Sequence, residues 1–274
     1  MQATENNTGG AAPGPAIEKL GQPDRSQIRH VIAVMSGKGG VGKSSISAML
    51  AVTLAGEGYR VGLLDADITG PSIPKLFGLY QQPFSENGKI VPPKTALGIK
   101  VISLNLLLQN EDDPVIWRGP LIGGAVKQFW TDVLWGEIDY LVVDLPPGTG
   151  DAPLTVMQSL PLDGLLIVTS PQELAVMVVK KAIKMARMLQ VPLLGLVENM
   201  SGLLCPHCGK PVELFGPSRA AEVAAETGIK LLGTIPLDPE ISRLGDRGEI
   251  EQYRVDFLKE VPSLLPGDGG GQND

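Results

Sequence analysis

Short apolar runs alternate along the chain with stretches of helical periodicity. His30 to Met35, Arg60 to Leu64, Tyr140 to Val143, Gly164 to Thr169, Leu193 to Glu198 and Leu231 to Ile235 each have the length of a strand. They are dominated by Val, Ile and Leu without polar alternation, which suits strands covered on both faces. Ser44 to Glu57 and Pro171 to Leu189 read as helices between them. This order predicts an α/β fold, a mostly parallel sheet flanked by helices. Pro83 to Lys100 is the least regular stretch and reads as a hairpin insertion. Met177, Met185 and Met188 have near-helical spacing and are expected in the core. No repeat or linker interrupts Arg29 to Pro262, so one domain over 29–262 is expected, between disordered tails at 1–28 and 263–274.

Composition narrows the partners. With 274 residues and 43% hydrophobic content the chain can bury a full core. A net charge of -7 supplies no positive field for nucleic acid or an anionic membrane, and 4% aromatic content argues against a base-stacking surface. No apolar run approaches the roughly 18 residues of a membrane span. The first residues lack the apolar stretch of a secretory leader and the arginines of a mitochondrial one. A cytoplasmic, reducing location is therefore expected, where the two cysteines, Cys205 and Cys208, are a ligand pair or a redox dithiol.

The chemistry begins at Gly37-Lys38-Gly39-Gly40-Val41-Gly42-Lys43-Ser44, which fits G-x-x-x-x-G-K-[ST] between a strand and a helix. Small residues let backbone N–H groups close around phosphate oxygens, and the helix N-terminus adds its positive end. Lys43 would neutralise the outer phosphates, Ser44 would ligate Mg²⁺, and Ser45 continues the cradle. The same glycines also satisfy G-x-G-x-x-G, with Asp65 near the distance of a ribose-binding acid. That dinucleotide reading gives no role to Lys43-Ser44, to Asp67 beside Asp65, or to Asp144 before the Leu145 to Gly150 loop. ATP with Mg²⁺ is the expected ligand.

The extra lysine, Lys38, makes the loop resemble the deviant Walker A of the nitrogenase iron protein, MinD and ParA group, which implies an ATP-sandwiching homodimer with Lys38 reaching its partner. Asp65 to Ser72, Pro114 to Pro120, Asp144 to Asp151, Glu198 to Ser201, Pro236 to Pro239 and Gly245-Asp246 resemble the Mrp/ApbC family of iron–sulfur carrier ATPases over roughly Arg29 to Val261. The resemblance implies slow ATP hydrolysis and delivery of a labile [4Fe–4S] cluster from a homodimer to apoproteins. It assigns Lys43, Asp67 and Lys38 to catalysis, Asp67 orienting the attacking water. Asp144 organises Mg²⁺, and Asn199 lies near the adenine. A buried, turn-capping asparagine is the competing reading of Asn199. A positioning ATPase of the MinD/ParA kind is the alternative function, and it would need an amphipathic membrane helix or a basic face; Leu258 to Leu265 is short and interrupted by Pro262.

Cys205-Pro206-His207-Cys208-Gly209 supports three chemistries. A thiol oxidoreductase pair would open a helix, whereas Gly202, Gly209 and Pro211 point to a loop. A closed zinc site needs four ligands, and the pair supplies two thiolates, with His207 more simply a solvated loop residue. A cluster shared by two chains obtains four thiolates by symmetry. Spacing leaves these open; the family resemblance implies the iron–sulfur cluster.

Overall fold

The computed structural model describes residues 20–21, 23, 26–67, 72–103, 106, 119–205 and 207–266; at 119, 120, 173–176 and 204 it describes the backbone alone. The strands along the chain are β1 (Gln27–Ser36), β2 (Val61–Asp65), β3 (Phe84–Glu86), β4 (Lys89–Val91), β5 (Lys100–Ser103) and β6 (Glu137–Asp144). β7 (Gly164–Thr169), β8 (Leu193–Asn199), β9 (Leu203–Leu204), β10 (Pro211–Val212) and β11 (Leu231–Ile235) follow. The helices are α1 (Lys43–Gly56), α2 (Ile73–Leu76), α3 (Gly119–Asp132), α4 (Asp151–Ser159), α5 (Glu173–Met188), α6 (Ala220–Thr227) and α7 (Pro239–Arg247). Two 3-10 segments, Ile250–Gln252 and Asp256–Leu264, close the described chain.

Seven strands form one parallel sheet in the order β11-β8-β7-β1-β6-β2-β5. Strand β1 shows why this sheet must be covered twice. Val31, Ala33 and Met35 pack into one core cluster, while Ile32 and Val34 pack into the other. The period of two thus feeds two apolar layers. The first layer is filled by α3, α4, α5 and α6, among them Phe129, Trp130, Val156, Ile183 and Val223. The second is filled by α1 and by the 3-10 residues Leu258 and Val261. Each fully buried large apolar side chain contributes roughly 1.5–3 kcal/mol, so neither face can be left open.

Register decides where the chemistry goes. Asp65 and Val34 both lie opposite Asp144, Ser36 opposite Val168, and Thr169 opposite Glu198. The carboxyl ends of five strands therefore form one row, and β1, flanked by β6 and β7, marks the crevice where connections diverge.

Two expectations change. Met177 and Met188 are exposed, at 55% and 83%, and only Met185 packs against the core. The buried stripe of α5 is instead Val179, Ala182, Ile183 and Ala186, an i, i+3, i+4, i+7 set. The packed unit also reaches past 29–262: Ile28 pairs with Ile138 in the sheet, and Leu265 is buried. Residues 1–19 and 267–274, where the tails were expected, lie outside the described residues. The stretch Pro83 to Lys100 does contain a hairpin, β3 with β4, turned through Asn87 and Gly88 at φ 51° and 76°.

Candidate functional site

The loop after β1 is held in shape before any ligand arrives. Ser36 is buried, and its hydroxyl donates to the Lys38 carbonyl at 2.9 Å. Gly148 N–H donates to the Ser36 carbonyl at 2.9 Å, which ties the loop after β6 to the phosphate loop. Two glycines are required by their surroundings. A Cβ on Gly37 would lie 2.2 Å from Val178 Cγ1. Gly42 has φ 81°, and a Cβ there would lie 2.1 Å from Asn199 Nδ2. Gly42 is the N-cap of α1, so Lys43, Ser44 and Ser45 form its first turn and direct free amides at the loop. Gly39 and Gly40 are exposed at the crest, and Val41 is buried beneath it.

Lys43 is 5% exposed and lies 2.8 Å from Asp144 and 3.5 Å from Asp67. Asp144 is fully buried at the end of β6, where the hydroxyls of Ser44 and Ser47 each donate to it at 2.6 Å. A carboxylate with three such partners is held in one orientation. The Ser44 and Asp144 oxygens meet here, and an adjacent oxygen pair suits Mg²⁺, which binds few protein ligands and keeps several waters. Asp65 is a third acid in the group. It accepts from Ser103 Oγ and from Asp67 N–H, both at 3.1 Å. Burial, and then the Asp144 charge, push its carboxyl well above the usual range, with Lys43 opposing. The crevice therefore collects acids around one lysine, an arrangement in which an incoming polyphosphate can take over Lys43.

Asn199 is buried, and its side-chain N–H donates to the Val41 carbonyl at 2.9 Å. This matches the turn-supporting reading: the amide braces the phosphate loop from below. Lys38 is half-buried and its ammonium donates to the Gln172 side-chain carbonyl, at the start of α5. Gln172, Ser47 and Asp65 were not among the expected site residues. Ser47 could have been found, since i and i+3 from Ser44 share a helix face.

Cys205 and Cys208 lie on the loop between β9 and β10, as expected for a non-helical pair. Cys205 N–H donates to the Lys210 carbonyl at 2.9 Å, and Gly209 N–H, at φ 67°, donates to the Cys205 carbonyl at 2.8 Å. The Cys205 thiol is lowered, first by the backbone N–H of His207, then by that of Cys208 and by the Cys208 side chain. Amides aimed at sulfur favour the thiolate, the form that binds metal. Cys208 and His207 are exposed. No group of three or more His, Cys, Asp or Glu able to hold a metal occurs among the described residues. Ile68 to Pro71 of the Asp65 to Ser72 motif and most of the Pro114 to Pro120 motif lie outside them.

A parallel sheet of this order, with a lysine-ended glycine loop at its switch point, defines the chain as a P-loop NTPase. The family profile for NUBPL iron-transfer P-loop NTPases, within the ParA group, matches residues 27–261, and the chain belongs to that family. An iron-sulfur cluster carrier protein of Methanocaldococcus jannaschii is 51% identical over 225 residues, covering 81% of this chain and 78% of its own. One from Pyrococcus furiosus is 40% identical over 288 residues, covering 95% and 97%. A nucleotide-binding protein of Archaeoglobus fulgidus, solved in complex with ADP, superposes with a TM-score of 0.77 at 47% identity, covering 86% of this chain and 93% of that one. The cell division protein MinD of Aquifex aeolicus, at 20% identity and a TM-score of 0.60 over 86% of this chain and 96% of its own, shares the fold. No described helix is long and apolar enough to cross a membrane.

Proposed function

We propose that this protein is an ATP-dependent iron–sulfur cluster carrier that acts in the cytoplasm as a homodimer. Gly37 to Ser45 bind ATP, with Lys43 on the outer phosphates and Ser44 and Asp144 holding Mg²⁺. Asp67, 3.5 Å from Lys43, orients the attacking water. Water adds to the γ-phosphorus as the bridging bond breaks, leaving ADP and phosphate, and few residues serve the step beyond positioning and charge. Lys38 exchanges Gln172 for phosphate across the dimer. The cargo is a [4Fe–4S] cluster held by Cys205 and Cys208 of each copy, to be passed to recipient apoproteins.

The observation that carries this reading is the cysteine turn, whose amides favour a thiolate at Cys205. It is a metal-binding turn that has half the ligands such a cluster wants. The carrier names of the relatives at 40–51% identity support the same cargo. The MinD-like alternative needs a free amphipathic segment, but Leu258, Val261 and Leu265 are buried against the core here.

Anaerobic reconstitution with iron and sulfide tests the proposal. About four iron atoms should bind per pair of chains, with a visible charge-transfer band and a shift toward dimer in size exclusion. Cys205→Ala and Cys208→Ala should each lose the cluster and keep ATP binding. Tightly held zinc with no iron band would replace the cargo, and a reversible disulfide with no metal would turn the pair into a redox dithiol.

A further inference from the structure

The segment carrying both cysteines is an excursion from the main sheet. It leaves at the end of β8 and returns twenty residues later, where the Ser218 hydroxyl donates to Glu198 Oε2 at 2.9 Å. Glu198 is 1% exposed, and the Ala220 backbone N–H at the start of α6, which donates to Ser218 Oγ at 3.3 Å, also acts on its carboxyl. Its carboxylate therefore sits at the positive end of that helix and closes the base of the excursion. Burial raises the carboxyl, and the Ser218 and Ala220 donors oppose this. The outgoing limb is pinned too: Ser201 N–H donates to Ile235 at 3.0 Å, and Leu237 N–H to Gly202 at 2.6 Å.

Glu198 has a second side. A cleft of about 10 Å³ between α5 and α6 is lined by Ser170, Gln172, Val179 and Glu198. Glu198 Oε1 and Ser170 Oγ are buried without a hydrogen-bond partner among the described residues. Such a volume accommodates one water, which can donate to both oxygens and join β7 to β8. Gln172, on the same cleft, is the residue that holds Lys38. The next residue along β8, Asn199, points the other way and holds the phosphate loop at Val41.

We infer that Glu198 is a positioning residue that makes the cysteine hairpin sensitive to the nucleotide. Two consecutive residues of one strand grip two different loops: Asn199 the phosphate loop, Glu198 the closing limb of the cysteine excursion. A shift of the phosphate loop acts on the end of β8, and the Glu198 clamp carries that shift to Ser218 and the hairpin. Without the clamp the strand end still moves, but the returning limb is no longer attached to it. The inference deepens the carrier reading and rests on it for the meaning of the signal, although the signal is measurable without any cargo.

Amide hydrogen exchange on the full chain, with and without ATP and Mg²⁺, tests it. In the wild type, nucleotide should protect residues 37–45 and change exchange across 201–218. In Glu198→Ala, nucleotide should still protect 37–45, while the ATP-dependent change across 201–218 should fall at least fivefold. Glu198→Gln, which keeps an acceptor for Ser218, should restore it. Ser218→Ala, an exposed change that leaves the core intact, should weaken it in the same direction. A Glu198→Ala chain that keeps the full ATP-dependent difference at 201–218 overturns the inference. So does a Ser218→Ala chain with the full difference, should Glu198→Ala fail to fold. Iron reconstitution of the same samples separates the two ideas: no cluster with intact coupling sinks the cargo alone, and a cluster without coupling sinks the clamp alone.

Discussion

Replacing Gly42 with alanine puts the geometry of the phosphate loop to a quantitative test. Two costs can be worked out. At φ 81° an L-residue is in the left-handed region, which costs about 1 kcal/mol. The added Cβ would also lie 2.1 Å from Asn199 Nδ2, far inside contact distance, so the asparagine must withdraw by about an ångström. Withdrawal breaks its 2.9 Å bond to the Val41 carbonyl and strands a buried amide, worth roughly 1–3 kcal/mol. The sum is a destabilisation of about 2–4 kcal/mol, to be read from urea unfolding. In an Asn199→Ala background the clash disappears and only the backbone strain remains. The two substitutions should therefore couple by about 1–3 kcal/mol in a double-mutant cycle. ATP affinity should fall at least tenfold, about 1.4 kcal/mol, because the amides of the first turn of α1 shift with the loop. Additive effects, or a Gly42→Ala chain of native stability, would refute the packing of Asn199 beneath the loop.

Three further outcomes follow from the same geometry. Lys43→Ala should abolish measurable ATP binding by calorimetry, since Lys43 is the buried cation of the crevice; retained affinity would remove the lysine from the phosphates. Asp67→Asn should keep ATP bound and slow single-turnover hydrolysis by about 10²-fold or more, and a wild-type rate would move water orientation elsewhere. On the acid side, Arg60 hydrogen-bonds Asp139 and holds its carboxyl down at about 2, against the usual 3.8. The unfolded chain binds the proton first as pH falls, so this pair's stabilisation is complete above about 4 and is lost as pH drops toward 2. With Arg60 half-exposed the contribution is on the order of 1 kcal/mol; Asp139→Asn should flatten that part of the acid unfolding curve, and an unchanged curve would count against it.

What could be read from the chain was local. The strands and the loop from Gly37 to Ser44 rest on runs and spacings of a few residues, and they lie where the pattern puts them. Contacts made by strand order were not readable. Asp65 meets Ser103 only because β5 pairs with β2, and Lys38 meets Gln172 across 134 residues because β7 lies beside β1. Helix α3 was masked by Gly123 and Gly124, which weaken a helical pattern although the helix runs through them. The start of α7 was not read from the chain, although Asp238-Pro239 places a capping acid before a first-turn proline and Asp238 accepts from Glu240 N–H. The methionines of α5 gave the period but the wrong face: a helical spacing fixes a stripe, and only packing says which stripe is inside.

The fold does not separate a carrier from a positioning ATPase, because MinD shares the sheet at 20% identity. The distinction has to lie in what is attached to the sheet, and the end of β8 is where the attachment occurs. There a pair of cysteines sits on a hairpin instead of inside a core, with Cys208 exposed and Cys205 partly so. Two thiolates on one chain cannot close a four-ligand site, and no third ligand group accompanies them among the described residues. On the carrier reading that shortfall is useful, because a cluster held by two copies loses half its thiolates whenever the copies part. On the same reading ATP would act at that association through Lys38, whose ammonium donates to Gln172 within one chain. Binding of nucleotide and retention of cargo then depend on one contact between copies. On that reading release would need no separate device at the metal: hydrolysis would weaken the pairing, and an apoprotein offering its own thiolates would compete for a cluster that had become under-ligated.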